Sequence, residues 1–142
     1  MRIAVEFMPF SEIRTLADAW RLVADSGAPN AGVLLDSWHH RRSGGSTAGL
    51  AAVPPDRVFS VQLNDALPTP LADLRQEARH LRLPPGDGAV AFVRALLDLG
   101  VTARMSVEVW SDDLERLPPA QAAVVVHDAT RRVLAAAGLP RP

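Results

Sequence analysis

The sequence predicts an α/β protein built on a parallel sheet, and three observations carry that expectation. Short apolar or β-branched runs recur four times, as RIAVEF, AGVLLD, RVFSVQL and RMSVEVW. Each is followed by a loop and then a helical pattern. Within each run the side chains alternate between a greasy and a more polar face, as they do when helices cover one side of a sheet. Strand and helix in alternation give parallel strands joined by right-handed crossovers.

Taken in order, the first run leads into TLADAWRLVADSG. Thr15 followed three residues on by Asp18 suits a helix start. Leu16, Ala19, Trp20 and Val23 form one apolar stripe, and Gly27 marks the stop. The second run continues into RRSGGSTAGLAAVPP, which leaves room for only a short helix between Gly45 and Pro54. The third has a long connection, NDALPTPLADLRQEARHLRLPPGDG, with a helical piece around Leu71 to Arg79. The helix AVAFVRALLDLG follows, closed by Gly100. After the fourth run, PPAQAAVVVHDATRRVLAAAG reads as a helix opened by prolines and closed by Gly138. No linker divides the chain, so residues 1–142 read as a single domain.

Composition narrows the function classes. A length of 142 residues suffices for one buried core. The formal net charge of −1 gives no footprint for a nucleic-acid partner. With no cysteine there is neither a disulfide framework nor a thiolate nucleophile, as suits a reducing compartment. The start, MRIAVEFMPF, is interrupted by Glu6 and reads as neither a signal peptide nor a membrane span. The expectation is a cytoplasmic protein without membrane contact.

Parity singles out the chemistry. Ile3, Val5 and Phe7 oppose Ala4 and Glu6; Val33 and Leu35 oppose Gly32, Leu34 and Asp36. Phe59, Val61 and Leu63 oppose Ser60 and Gln62, and Met105, Val107 and Val109 oppose Ser106, Glu108 and Trp110. Glu6, Asp36, Gln62 and Glu108 thus share the polar face, each late in its strand. In parallel α/β folds that end is where ligands bind. Three carboxylates converging there repel one another unless a cation lies between them. Oxygen donors without cysteine suit Mg²⁺ or Mn²⁺, and nearby imidazole also admits Co²⁺ or Zn²⁺. The competing reading of each is a turn former or helix cap, Asp36 before SWHH above all.

Other residues read singly. His39, three past Asp36, is placed to act as acid, base or hydrogen-bond donor, against a reading as a loop histidine; His40 reads as structural. Arg82, before Pro84-Pro85-Gly86, suits a carboxylate or phosphate clamp. Arg41 and Arg42 beside Gly44-Gly45 suit an anion. Asp65 reads as a turn former, Trp38 and Trp110 as pocket walls, and Trp20 as core. Arg75, Arg79, Arg131, Arg132, His80 and His127 read as surface.

These motifs resemble the xylose isomerase-like TIM barrels, the superfamily of sugar phosphate isomerases and epimerases. VEFMPF is similar to the segment giving the first metal glutamate. LLDSWHH is similar to the D-x-x-H segment giving a metal aspartate and a substrate-contacting histidine. SVQLND sits where the third ligand arises, RLPPGDG resembles a turn whose arginine reaches substrate, and VSVEVW resembles the last metal glutamate. The resemblance implies four consecutive βα units of a (β/α)₈ barrel, its C-terminal half, with parallel strands inside and helices outside. It implies metal ligands Glu6, Asp36, Gln62 and Glu108, with Mn²⁺ or Mg²⁺ expected. Substrate contacts are His39 and Arg82, and proton transfer falls to Glu6, Glu108 or His39. The implied reaction is proton abstraction α to a carbonyl through a metal-stabilised enediolate on a small sugar, giving isomerisation or epimerisation. The sugar epimerases carry histidine where this chain has Gln62. Glutamine there resembles the 3-dehydroshikimate dehydratases, so a lyase acting on a cyclic keto acid is the alternative reading. A barrel takes about 250 residues. The expectation is therefore a second copy or a separate chain carrying the N-terminal half as partner, a truncated gene product, or a late start site in a longer reading frame; a non-catalytic truncated half-barrel is the alternative to an enzyme.

Overall fold

The computed structural model describes residues 1–139. Four strands, β1 (Ile3–Glu6), β2 (Ala31–Asp36), β3 (Val58–Leu63) and β4 (Met105–Val107), form one sheet in chain order. Every neighbouring pair is parallel. The helices are α1 (Leu16–Ser26), α2 (Ser37–Arg42), α3 (Thr47–Leu50), α4 (Leu74–His80), α5 (Asp87–Asp98), α6 (Asp112–Glu115) and α7 (Pro119–Ala136). Sequential order with a helix after each strand is the plan of a (β/α)₈ barrel, and these four units make half of one.

Local chemistry starts and stops the helices as the sequence indicates. Thr15 Oγ1 accepts the Asp18 N–H at 3.2 Å, and Asp18 Oδ2 accepts the Thr15 N–H at 3.1 Å. This reciprocal box satisfies two otherwise orphaned donors at the start of α1. Gly27, at φ 62°, ends it in the left-handed region that a side chain disfavours. The sheet face under the helices carries Phe7, Val33, Leu35, Val61 and Leu63, which pack on Ala19 and Val23 of α1, Phe92, Val93 and Leu96 of α5, and Val133 of α7. Each such side chain contributes about 1.5–3 kcal/mol of hydrophobic stabilisation.

The structure departs from the sequence reading in four places. Two short helices, α2 and α6, stand where loops were expected. The strand read through Trp110 ends at Val107. Beyond it the backbone turns to the 81–83 segment, where Arg82 N–H donates to the Trp110 carbonyl at 3.0 Å and Leu81 bridges Ser111. Phe59 does not share the helix-side face with Val61 and Leu63. The register between β2 and β3 shifts after Val33, so Val58 takes the core position and Phe59 becomes the bulged residue. Its ring lies over Gly32, where a Cβ would sit 2.7 Å from it, and the Arg2 guanidinium stacks on it at 4.5 Å. Finally, Arg42 is bound within the protein rather than presented to an anion, as described below.

β1 and β4 each have one neighbour only, so both sheet edges are open among the described residues. Ile3 on one edge is 50 % exposed, and Val107 on the other is 36 % exposed. No helix among the described residues is long and apolar enough to cross a membrane.

Candidate metal centre

The polar face of the sheet delivers its acidic side chains to the carboxyl ends of the strands. Asp36 is fully buried and closes β2 while capping α2: its Oδ1 accepts the His39 N–H at 2.9 Å. That cap explains why a helix begins at once after the strand and fixes where the ring of His39 goes. One carboxylate oxygen of Glu6, one of Asp36 and a ring nitrogen of His39 lie within 4.8 Å of one another. Glu6 Oε1 stands 3.6 Å from His39 Nε2.

Arg82 is buried among these groups. Its Nη1 donates to Asp36 Oδ2 and to Glu108 Oε2, each at 3.1 Å, its Nη2 donates to His39 Nε2 at 3.2 Å, and its Nε donates to the Ala78 carbonyl at 2.8 Å. A guanidinium can only donate, so His39 Nε2 accepts and the ring proton sits on Nδ1. Glu108, just past the end of β4, is the more exposed carboxylate, with its side chain 36 % exposed. Gln62 lies beside Asp36 in the β2–β3 register.

Two oxygens stand out. Glu6 Oε1 and Gln62 Oε1 are buried and accept no hydrogen bond from any described residue. Buried acceptors without donors are costly in a folded protein, and a divalent cation satisfies oxygen acceptors. The donor set therefore fits a hard cation.

Electrostatics agree. Burial pushes the Glu6 carboxyl up to about 7, the charges of Asp36 and Glu108 add to the rise, and Arg82 opposes it. Burial likewise raises Asp36, against the pull of Arg82 and of the donors from His39 and Asn64. Burial, reinforced by Arg82, drives His39 down to about 3, so its imidazole is neutral. Excess negative potential is what a cation relieves.

Glu6, His39, Arg82 and Glu108 line a cavity of about 1020 Å³. Met8, Phe10, Arg79, His80, Trp110 and Arg116 also line it. Trp110 is thus the wall the sequence suggests. Trp38, expected to be another, is fully buried behind His39, which its ring meets edge-on at 5.2 Å.

Sequence reasoning missed Asn64. Fully buried, it donates through Nδ2 to Asp36 Oδ2 at 2.7 Å and to the Glu108 carbonyl at 3.0 Å, while its Oδ1 accepts from Ser37 Oγ and the Trp38 N–H, both at 2.7 Å. The signal was a second amide two residues past Gln62, at the same parity. Arg41 and Arg42 are tied internally: Arg41 pairs with Asp65 at 2.9 Å, and Arg42 Nε donates to the buried Glu77 at 2.7 Å. Asp65 is more than a turn former, since its Oδ2 also accepts the Gly88 N–H at 3.0 Å in the first turn of α5. His40 is buried against Phe92, whereas His80 and His127 are exposed beside Asp112 and Asp128.

The family model described as a xylose isomerase-like TIM barrel matches residues 1–132. The chain belongs to the xylose isomerase-like TIM barrel family. Relatives within it diverge in activity. A 3-dehydroshikimate dehydratase of Pseudomonas putida is 31% identical over 125 residues, 85% of this chain and 20% of that protein. An inosose isomerase of Bacillus licheniformis is 30% identical over 122 residues, 82% of this chain and 43% of that protein. Among solved structures, the IOLI protein with a bound zinc atom superposes with a TM-score of 0.85 at 24% identity, over 95% of this chain and 49% of that one. A xylose isomerase domain protein from Alicyclobacillus acidocaldarius gives 0.78 at 29% identity, over 96% and 52%. The chain thus spans from about a fifth to less than half the length of these two curated relatives.

Proposed function

We propose that this half-barrel holds one divalent cation through Glu6, Asp36, Gln62 and Glu108, and that the centre serves proton abstraction α to a carbonyl of a small cyclic or open-chain sugar. The observation that carries the reading is the pair of buried acceptors, Glu6 Oε1 and Gln62 Oε1, without donors beside the buried Asp36. His39 is close enough to join the ligand set. Oxygen donors favour Mn²⁺ or Mg²⁺, with Co²⁺ or Zn²⁺ admitted by the imidazole; the zinc in the IOLI protein supports a divalent ion of this kind. Such a cation supplies Lewis-acid polarisation of the substrate carbonyl.

The residues themselves divide the remaining work. Glu6 and Glu108 border the cavity and move the proton. His39, whose Nε2 accepts from Arg82 at 3.2 Å and stands 3.6 Å from Glu6 Oε1, hydrogen-bonds substrate or shares the proton transfer with Glu6 and Glu108. Arg82 shares its donors between Asp36, Glu108 and His39, so it faces substrate by exchanging one of these partners. Return of the proton to a neighbouring carbon, or to the other face, gives isomerisation or epimerisation. A dehydratase reading has its own support in Gln62 and in the dehydratase relative: loss of a β-hydroxyl as water from a cyclic keto acid. The open edges of β1 and β4 would be covered by a partner carrying four further βα units, a second copy or a separate chain.

The test is solvent exchange with Mn²⁺ present, offering ketoses, inososes and 3-dehydroshikimate in D₂O. Deuterium entering an inosose or a ketose supports the isomerase reading. An ultraviolet product band from 3-dehydroshikimate supports the lyase. Neither signal, with the chain folded and Mn²⁺ bound, rejects both and leaves a non-catalytic half-barrel.

A further inference from the structure

Behind the cavity, on the side away from substrate, lies a fully buried carboxylate that the proposed chemistry does not use. Glu77, in α4, is 0 % exposed and does not border the cavity. Its Oε1 accepts from Trp38 Nε1 at 3.1 Å and from Arg42 Nε at 2.7 Å, and its Oε2 accepts the Leu71 N–H at 2.8 Å. Arg42 Nη2 continues to the Leu67 carbonyl at 2.7 Å. Burying an ion pair is costly, and well-packed apolar residues commonly do as well for stability. Such a pair makes sense where orientation is needed.

The object oriented is Trp38. Its ring meets His39 edge-on at 5.2 Å with an interplanar angle of 87°, and the Arg82 guanidinium lies over it at 5.4 Å. The ring is packed against Phe10, Leu74 and Ala78, and the bond from Nε1–H to Glu77 adds a directional anchor to that packing. The next residue of α4 completes the arrangement, since the Ala78 carbonyl accepts Arg82 Nε at 2.8 Å. One turn of helix therefore anchors both the ring behind the site and the guanidinium within it.

We infer that Glu77 is a positioning residue of the proposed centre, holding Trp38 so that its ring fixes His39 and Arg82. The inference rests on the metal reading above. A mere staple for the 64–73 loop would need no bond to the indole.

The experiment is a double-variant cycle on the full chain with Glu77→Gln, Trp38→Phe and the pair combined. It reads Zn²⁺ affinity by calorimetry and the indole ¹H–¹⁵N resonances by NMR. In the wild type the Trp38 indole proton resonates downfield, as expected of a donor to a carboxylate, and shifts again when Zn²⁺ is added. Each single variant weakens Zn²⁺ by about tenfold, the lower end for groups that orient metal ligands. The double variant is no worse than the singles, because both cut the same link. Additive losses, or a folded Glu77→Gln chain with wild-type affinity, overturn the inference. Should Glu77→Gln fail to fold, Trp38→Phe decides alone, since it leaves the Glu77–Arg42 pair intact: a tenfold loss supports the inference and unchanged affinity overturns it. A wild-type chain that takes neither Zn²⁺ nor Mn²⁺ rejects the metal reading and this inference with it. That result is distinct from a wild type that binds while the variants match it.

Discussion

The inner strand β2 and the edge strand β4 hold their carboxylates in opposite ways. Asp36 is fully buried, caps a helix, and is gripped by His39, Asn64 and Arg82. Glu108 is more than a third exposed, and its carboxylate is held through Arg82. Glu6, on the other edge strand, lies between these extremes, its side chain 26 % exposed. A central strand flanked on both sides buries its carboxylate among fixed donors, whereas the edge strands leave theirs partly exposed. The site is therefore half preorganised and half responsive, and substitutions should sort accordingly.

The largest loss is expected at the rigid end. Asp36→Ala removes the acceptor for three donors and leaves Arg82 underpaired, at a cost of about 3 kcal/mol, measured by urea denaturation. Asn64→Leu follows, at about 2 kcal/mol, because Ser37, the Trp38 N–H and Asp36 each lose a partner in a dry environment. A loss below about 0.5 kcal/mol at both positions would erase the distinction between strands.

At Glu6 the sign should reverse. In the metal-free chain its folded pKa is raised from 4.5 to about 7. The folded state therefore holds a proton that the unfolded state releases, and this contribution to stability, complete below pH 4.5, is lost as pH rises through 7. Glu6→Gln should accordingly raise the melting temperature above pH 7 and leave it nearly unchanged near pH 4. His39 acts in the other direction, costing stability as pH falls below 6.5 toward 3. If Glu6 is a ligand as proposed, binding of Mn²⁺ takes its carboxylate form, so the apparent affinity should weaken by about tenfold per pH unit below 7.

Glu108→Gln should have the smallest effect on stability, under about 1 kcal/mol, as befits a partly exposed pair. Its effect on Mn²⁺ should be larger, about tenfold or more in affinity, which separates folding from binding at the flexible end.

Much of this was legible in the sequence, for a physical reason. Period-two alternation is local, so Glu6, Asp36, Gln62 and Glu108 could be placed on one face from the runs alone. The cap reading of DSWHH holds, since Asp36 Oδ1 accepts the His39 N–H, and the second carboxylate oxygen remains available to pair with Arg82 beside Glu6 and His39. What escaped depends on pairings between distant segments. Phe59 turns inward because of a bulge against β2, which no pattern within RVFSVQL reveals. Asn64 and Glu77 gain their importance from groups 26 to 44 residues away. Arg42 read as an anion ligand because its acidic partner lies 35 residues on.

Titration of the full chain with Mn²⁺ at pH 8 by calorimetry, beside the Asp36→Asn variant, tests the centre most directly. The structure predicts one saturable site per chain in the wild type and its loss in the variant with the fold retained. A wild type without saturable binding, or a variant that binds as the wild type does, would contradict it.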